Sequence, residues 1–117
     1  LVASHSARIH RASRVLAVLD VLASFAECAR ERGFVRPKLG SDEEIRIVGG
    51  RHPVVEEIVG VQNFVPNDVL LNSSNRRFAI LNGPNMGGKS TYLRQVAIIQ
   101  ILAQAGSFVP AEQASLP

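Results

Sequence analysis

Residues 83–90 read Gly83-Pro84-Asn85-Met86-Gly87-Gly88-Lys89-Ser90, a G-x-x-x-x-G-K-[ST] pattern set between an apolar run at 77–81 and a long apolar helix pattern. A strand that turns through glycines into a helix points to an α/β fold. It also points to a chemistry. A polyphosphate needs many donors aimed inward from a tight curve, and backbone N–H groups supply them where no side chain obstructs. Gly83, Gly87 and Gly88 are the residues expected to take positive φ there, while the helix starting near Lys89 turns its unpaired N–H groups and positive dipole end to the anion. Lys89 adds a mobile charge for the β- and γ-phosphates, and Ser90 a hydroxyl placed for Mg²⁺. Thr91 is a second hydroxyl without an assigned role.

The chain has 117 residues, about one domain's worth, with net charge +3 and a single cysteine. One cysteine excludes an intrachain disulfide framework and a cysteine zinc cluster; Cys28, among Phe25, Ala26 and Ala29, reads as a small buried hydrophobe. Residues 1–40 hold seven Lys/Arg against three Asp/Glu, and the remainder six against seven, so the basic excess is N-terminal. Arg8, Arg11 and Arg14 form a ridge at i, i+3, i+6, read first as a solvated face and second as a phosphate contact. No apolar run approaches membrane-span length and no signal pattern opens the chain, so a cytoplasmic protein without membrane association is expected. No apolar run ending in Asp or Asp-Glu follows Ser90, so the acid that would complete a nucleotidase is not among these residues.

In chain order, Ile9, Ala12, Leu16, Leu19, Ala23 and Ala26 recur at intervals of three and four, which predicts one long helix over residues 4–32, stopped by Gly33. Its apolar stripe is widened by Val15, Val18, Leu22 and Phe25, and asks for packing partners on more than one side. Residues 37–44 read as a polar connector, 45–48 as a short strand broken by Gly49-Gly50, and 54–58 as a short helix with Pro53 in its first turn. His52 has no nucleophile or metal partner in sequence, and packing or hydrogen bonding is its expected role; His5 and His10 are not site candidates. Residues 69–71 and 77–81 read as two neighbouring strands joined by a turn at 72–75, and 92–105 as a helix buried all round. Phe108-Val109-Pro110 reads as the start of a strand left incomplete. Phe64 either caps the core or faces the phosphate loop and stacks on a base.

Taken together, Asn82 through Gln95, Ala103-Gln104-Ala105-Gly106-Ser107-Phe108-Val109-Pro110-Ala111-Glu112, Gly50-Arg51-His52-Pro53-Val54-Val55-Glu56 and Phe64-Val65-Pro66-Asn67 resemble the ATPase domain of the MutS family of DNA mismatch-recognition proteins. The likeness covers essentially the whole chain; one departure is Asn82, where the family commonly has threonine. The resemblance implies a long N-terminal helix ending a core or lever domain (1–38), followed by the first part of an ABC-type P-loop nucleotide-binding domain (39–117). It implies ATP or ADP with Mg²⁺ held by Gly83, Pro84, Asn85, Met86, Gly87, Gly88, Lys89, Ser90 and Thr91. Asn85 would lie near the γ-phosphate, Ser90 on the metal, Phe64 on adenine, and Lys89 would be catalytic. A DNA-dependent ATPase, a homodimer, mismatched double-stranded DNA and MutL are implied for the full-length protein, with no meaningful turnover by this stretch alone. The alternatives are another ABC-type ATPase, of a transporter or a DNA-break repair subunit, and an interaction module with a vestigial loop.

Overall fold

Helix propensity is high along the first third of the chain, rich in Ala, Leu and Arg, and in the computed structural model, which describes residues 5–117, it forms helix α1, Ser6–Arg32. Ser4, where the sequence pattern begins the helix, lies outside the described residues. Gly33 ends α1 as expected, at φ 60°, and Arg30 and Arg32 sit against the negative end of its dipole. The broad apolar stripe finds little to cover it. Ala29 is its one buried residue, while Ile9, Val15, Leu16, Val18, Leu19, Val21 and Leu22 are 49–65% exposed and Cys28 is half-buried.

Four strands follow in the spatial order β1-β4-β2-β3: β1 is Lys38–Leu39, β2 Glu44–Gly50, β3 Asn67–Asn72 and β4 Gln113–Leu116. β1 and β4 are parallel, and β2 is antiparallel to both β3 and β4, so the sheet is mixed. The fold is therefore α/β. Ile47, Val69, Ala114 and Leu116 from the strands meet Ile99 and Ala103 of helix α3, Lys89–Gln104, together with Val109 and Ala111, in the core. Helix α2, Pro53–Val59, starts on Pro53 in its first turn, as the sequence suggests, and His52 caps it by accepting a 3.4 Å hydrogen bond on Nδ1 from the N–H of Val55.

Several expectations are corrected. β2 does not break at Gly49-Gly50 but runs through both, because the strand is bulged there: Gly49 takes φ 59° and the pairing with β3 shifts register between Ile47 and Gly50. The connector at 37–44 contains β1, and Phe108-Val109-Pro110 starts no strand: Val109 makes only an isolated bridge to Val35, and β4 follows separately at Gln113–Leu116. α3 is buried on one face only, through Gln95, Ile99 and Ala103 at intervals of four, while Leu93 is 60% and Ile101 65% exposed.

The largest departure is at residues 77–81, which form no strand; Phe78 is 80% and Ile80 84% exposed. A strand exists only through its neighbours' hydrogen bonds, and an apolar run without alternation is the pattern of one covered on both faces. Among the described residues none pairs with it, and β3 has β2 as its neighbour instead. The expected turn at 72–75 does form, held by Asn72 Oδ1 accepting from the N–H groups of Ser74, Asn75 and Arg76.

Candidate functional site

The loop at 83–90 departs from the glycine logic of its sequence. Gly88 has positive φ (83°), but Gly83 and Gly87 do not, and the other positive φ in the loop falls on Met86 at 64°. Met86 occupies the third position of a turn closed by the N–H of Gly87 donating to the Pro84 carbonyl at 3.1 Å, where the chain must reverse. A side chain bent into that region carries strain of the kind found at ligand clamps, and Met86 is fully exposed. Gly87 is needed for space: a Cβ there would stand 3.0 Å from the Pro84 oxygen.

Gly88 then starts α3 without any side chain capping its first turn, which leaves those N–H groups without a side-chain acceptor. The Lys89 ammonium donates to the carbonyl oxygens of Gly83 and, at 3.2 Å, of Pro84, which holds the cation across the mouth of the loop. Uncapped donors, an inward dipole and a lysine bridging the curve fit a phosphate group. No cluster of three His, Cys, Asp or Glu that could hold a metal occurs among the described residues.

Beside the loop lies a cleft of about 720 Å³ whose walls include Phe64, Met86, Gly87, Gly88, Lys89 and Thr91. The structure thus brings Phe64 and the second half of the loop to one cavity. Gly83, Pro84, Asn85 and Ser90 are not in its lining.

The remaining wall is made by residues whose sequence pattern marks no role in a site: Val55 and Val59 of α2, Asn63, Val65, Asn67, Leu81, Asn82 and Tyr92. Asn63 Nδ2 donates to the Val59 carbonyl at 2.7 Å and Asn67 Nδ2 to that of Val65 at 2.9 Å, bracing the segment that carries Phe64 from both sides. Two asparagines flanking an aromatic residue were the signal in the sequence. Tyr92 donates through its hydroxyl to the Asp68 carbonyl at 3.1 Å; burial first, and then the charge of Asp68, push its phenol pKa up.

His52 and the ridge of Arg8, Arg11 and Arg14 stand apart from this cleft: His52 is buried as the cap of α2, and the ridge is exposed on α1. No described helix is long and apolar enough to cross a membrane.

Residues 79–117 match the family MutS domain V. The chain is 55% identical over 117 residues to the DNA mismatch repair protein MutS of Solibacter usitatus, an alignment covering 98% of this chain and 14% of that relative. It is 50% identical over 115 residues to the protein of the same name in Alkaliphilus metalliredigens, covering 98% and 13%, and 48% identical over 110 residues to that of a Geobacillus species, covering 94% and 13%. The chain therefore spans about one seventh of the length of the curated relatives it matches.

Proposed function

The chain belongs to the MutS family, and from that premise we propose that it is the nucleotide-binding stretch of a DNA mismatch repair protein. Residues 83–91 hold the phosphates of ATP or ADP in an ABC-type P-loop, and Phe64 stacks on the base. Lys89 neutralises charge at the β- and γ-phosphates and Ser90 contributes a metal ligand. Mg²⁺, when bound with the nucleotide, supplies the further charge neutralisation that phosphoryl transfer to water requires. In the full-length protein this site hydrolyses ATP, and its occupancy governs a homodimer that holds mismatched DNA in the cytoplasm and signals to MutL. The division at 38/39 into the end of a helical core domain and the start of the ATPase domain belongs to the same reading.

The observation that carries the proposal is that one cleft is walled by both Phe64 and Lys89, although 25 positions separate them. A base and a triphosphate ask for these two groups together. The test is binding of Mg·ATP to the full-length protein. Lys89→Ala is expected to weaken it at least tenfold and to abolish turnover, since charge-assisted hydrogen bonds contribute about 1.5–3 kcal/mol each. Undiminished binding in that variant would remove the phosphate assignment. For these 117 residues alone, no phosphate release above background is expected.

A further inference from the structure

The cleft has two arms, one carrying Phe64 and one carrying Lys89, and a ligand that uses both must match the gap between them. The first arm is stiff. Asn63 ties it to α2 and Asn67 ties Val65 to the start of β3. Asp68, next along, is fixed by its own side chain, Oδ1 accepting from the N–H of Gly49 at 2.8 Å in the bulge of β2.

The second arm is the loop and the first turn of α3. Tyr92 belongs to that turn, its N–H donating to the Gly88 carbonyl at 2.9 Å, and it lies one turn beyond Lys89 on the same side of the helix. Its hydroxyl crosses to the Asp68 carbonyl, and among the described residues no other side-chain hydrogen bond joins the loop or α3 to β3.

We propose that Tyr92 is a positioning residue of this cleft: its hydrogen bond to Asp68 sets the separation between the aromatic side chain that takes the base and the loop that takes the phosphates. The proposal rests on the nucleotide reading above. Asp68 serves as a post whose carboxylate faces β2 and whose carbonyl faces α3, so the tie runs from the sheet to the helix through one phenol. Losing it leaves the loop intact but frees the gap. Ligands that span both arms then lose affinity, and ligands that occupy only the phosphate arm do not.

The experiment compares Mg·ATP with Mg·tripolyphosphate, by calorimetry, on the full-length protein and its Tyr92→Phe variant, which keeps the ring and removes only the hydroxyl. The expected result is an affinity for ATP lowered about fivefold, the effect of one net hydrogen bond, with tripolyphosphate changed by less than about twofold. Asn67→Ala, which loosens the other arm, is expected to show the same selective loss. Equal losses for both ligands in Tyr92→Phe overturn the proposal, because the tie would then support the loop itself; so does an unchanged ATP affinity. Failure of the underlying reading looks different: the unsubstituted protein binds neither ligand, or Lys89→Ala leaves both unaffected.

Discussion

Arg51 Nε lies 3.4 Å from Glu56 Oε1, an ion pair of which the carboxylate half is nearly buried (8% exposed) and neither atom has a hydrogen-bond partner. The same guanidinium donates through Nη2 to the carbonyls of Arg32 and Gly33, at 3.1 Å each, and so caps the C-terminus of α1. Arg32 in turn holds Glu57 at 2.9 Å; that hydrogen bond, and then the carboxylate's charge, push its pKa up. Two arginines and two glutamates thus join the end of the long helix to α2, whose Val55 and Val59 line the cleft.

Removing Glu56 strands the Arg51 charge in this joint. Glu56→Ala is expected to lower the local opening free energy of α2 by about 2 kcal/mol, less than for a fully buried pair because Arg51 is partly solvated. Hydrogen exchange of the α2 amides in the full-length protein reads this directly. Exchange unchanged within error would mean that the pair contributes nothing.

Phe64→Ala should weaken nucleotide binding by about 1–3 kcal/mol, the range for a base stacked on an aromatic ring. Phe64→Leu, which keeps apolar area, should recover part of the loss. Unaltered affinity together with a lowered melting temperature would make Phe64 a packing residue only.

Two glycines separate strain from crowding. Gly88→Ala meets open space and costs only the left-handed backbone, about 1–2 kcal/mol. Gly50→Ala places a Cβ 2.7 Å from Gln95 Nε2 and 2.8 Å from Ile47 Cγ2, and overpacking of this kind costs about 1–3 kcal/mol. Hydrogen exchange should therefore rise around the loop in the first variant and across the centre of α3 in the second.

The Tyr92 tie carries its own pH signature. Its folded-state pKa is raised above the ordinary value of about 10, so the protonated donor is favoured in the native state. The stability it contributes is fully present below the unfolded-state pKa and is lost as pH rises through the folded one. The difference in thermal midpoint between the unsubstituted protein and Tyr92→Phe is expected to stay level from neutral pH to about pH 9 and to shrink above about pH 10.

Local features were legible in the sequence. α1, its stop at Gly33, α2 on Pro53 and the turn at Asn72 each depend on residues within a few positions of one another. What was not legible depends on partners. Residues 77–81 have a strand's composition but no neighbour among the described residues, and α3 has an apolar outer face whose burial no sequence pattern decides. The loop showed its residues but not its conformation: positive φ fell on Met86, because the Pro84–Gly87 turn needs it there, and not on Gly83 or Gly87. The roles of Tyr92, Asn63 and Asn67 were not legible because their contacts join segments far apart in the chain or run to backbone oxygens.

Helix α1 is anchored near one end and bare along most of its length. Its 27 residues extend about 40 Å, so a rotation of about 10° at the Arg51 joint carries the distant end through about 7 Å. At the joint itself the same rotation shifts atoms by well under a hydrogen-bond length. By geometry alone, a small angular change among two arginines and two glutamates equals a large displacement some seven turns away.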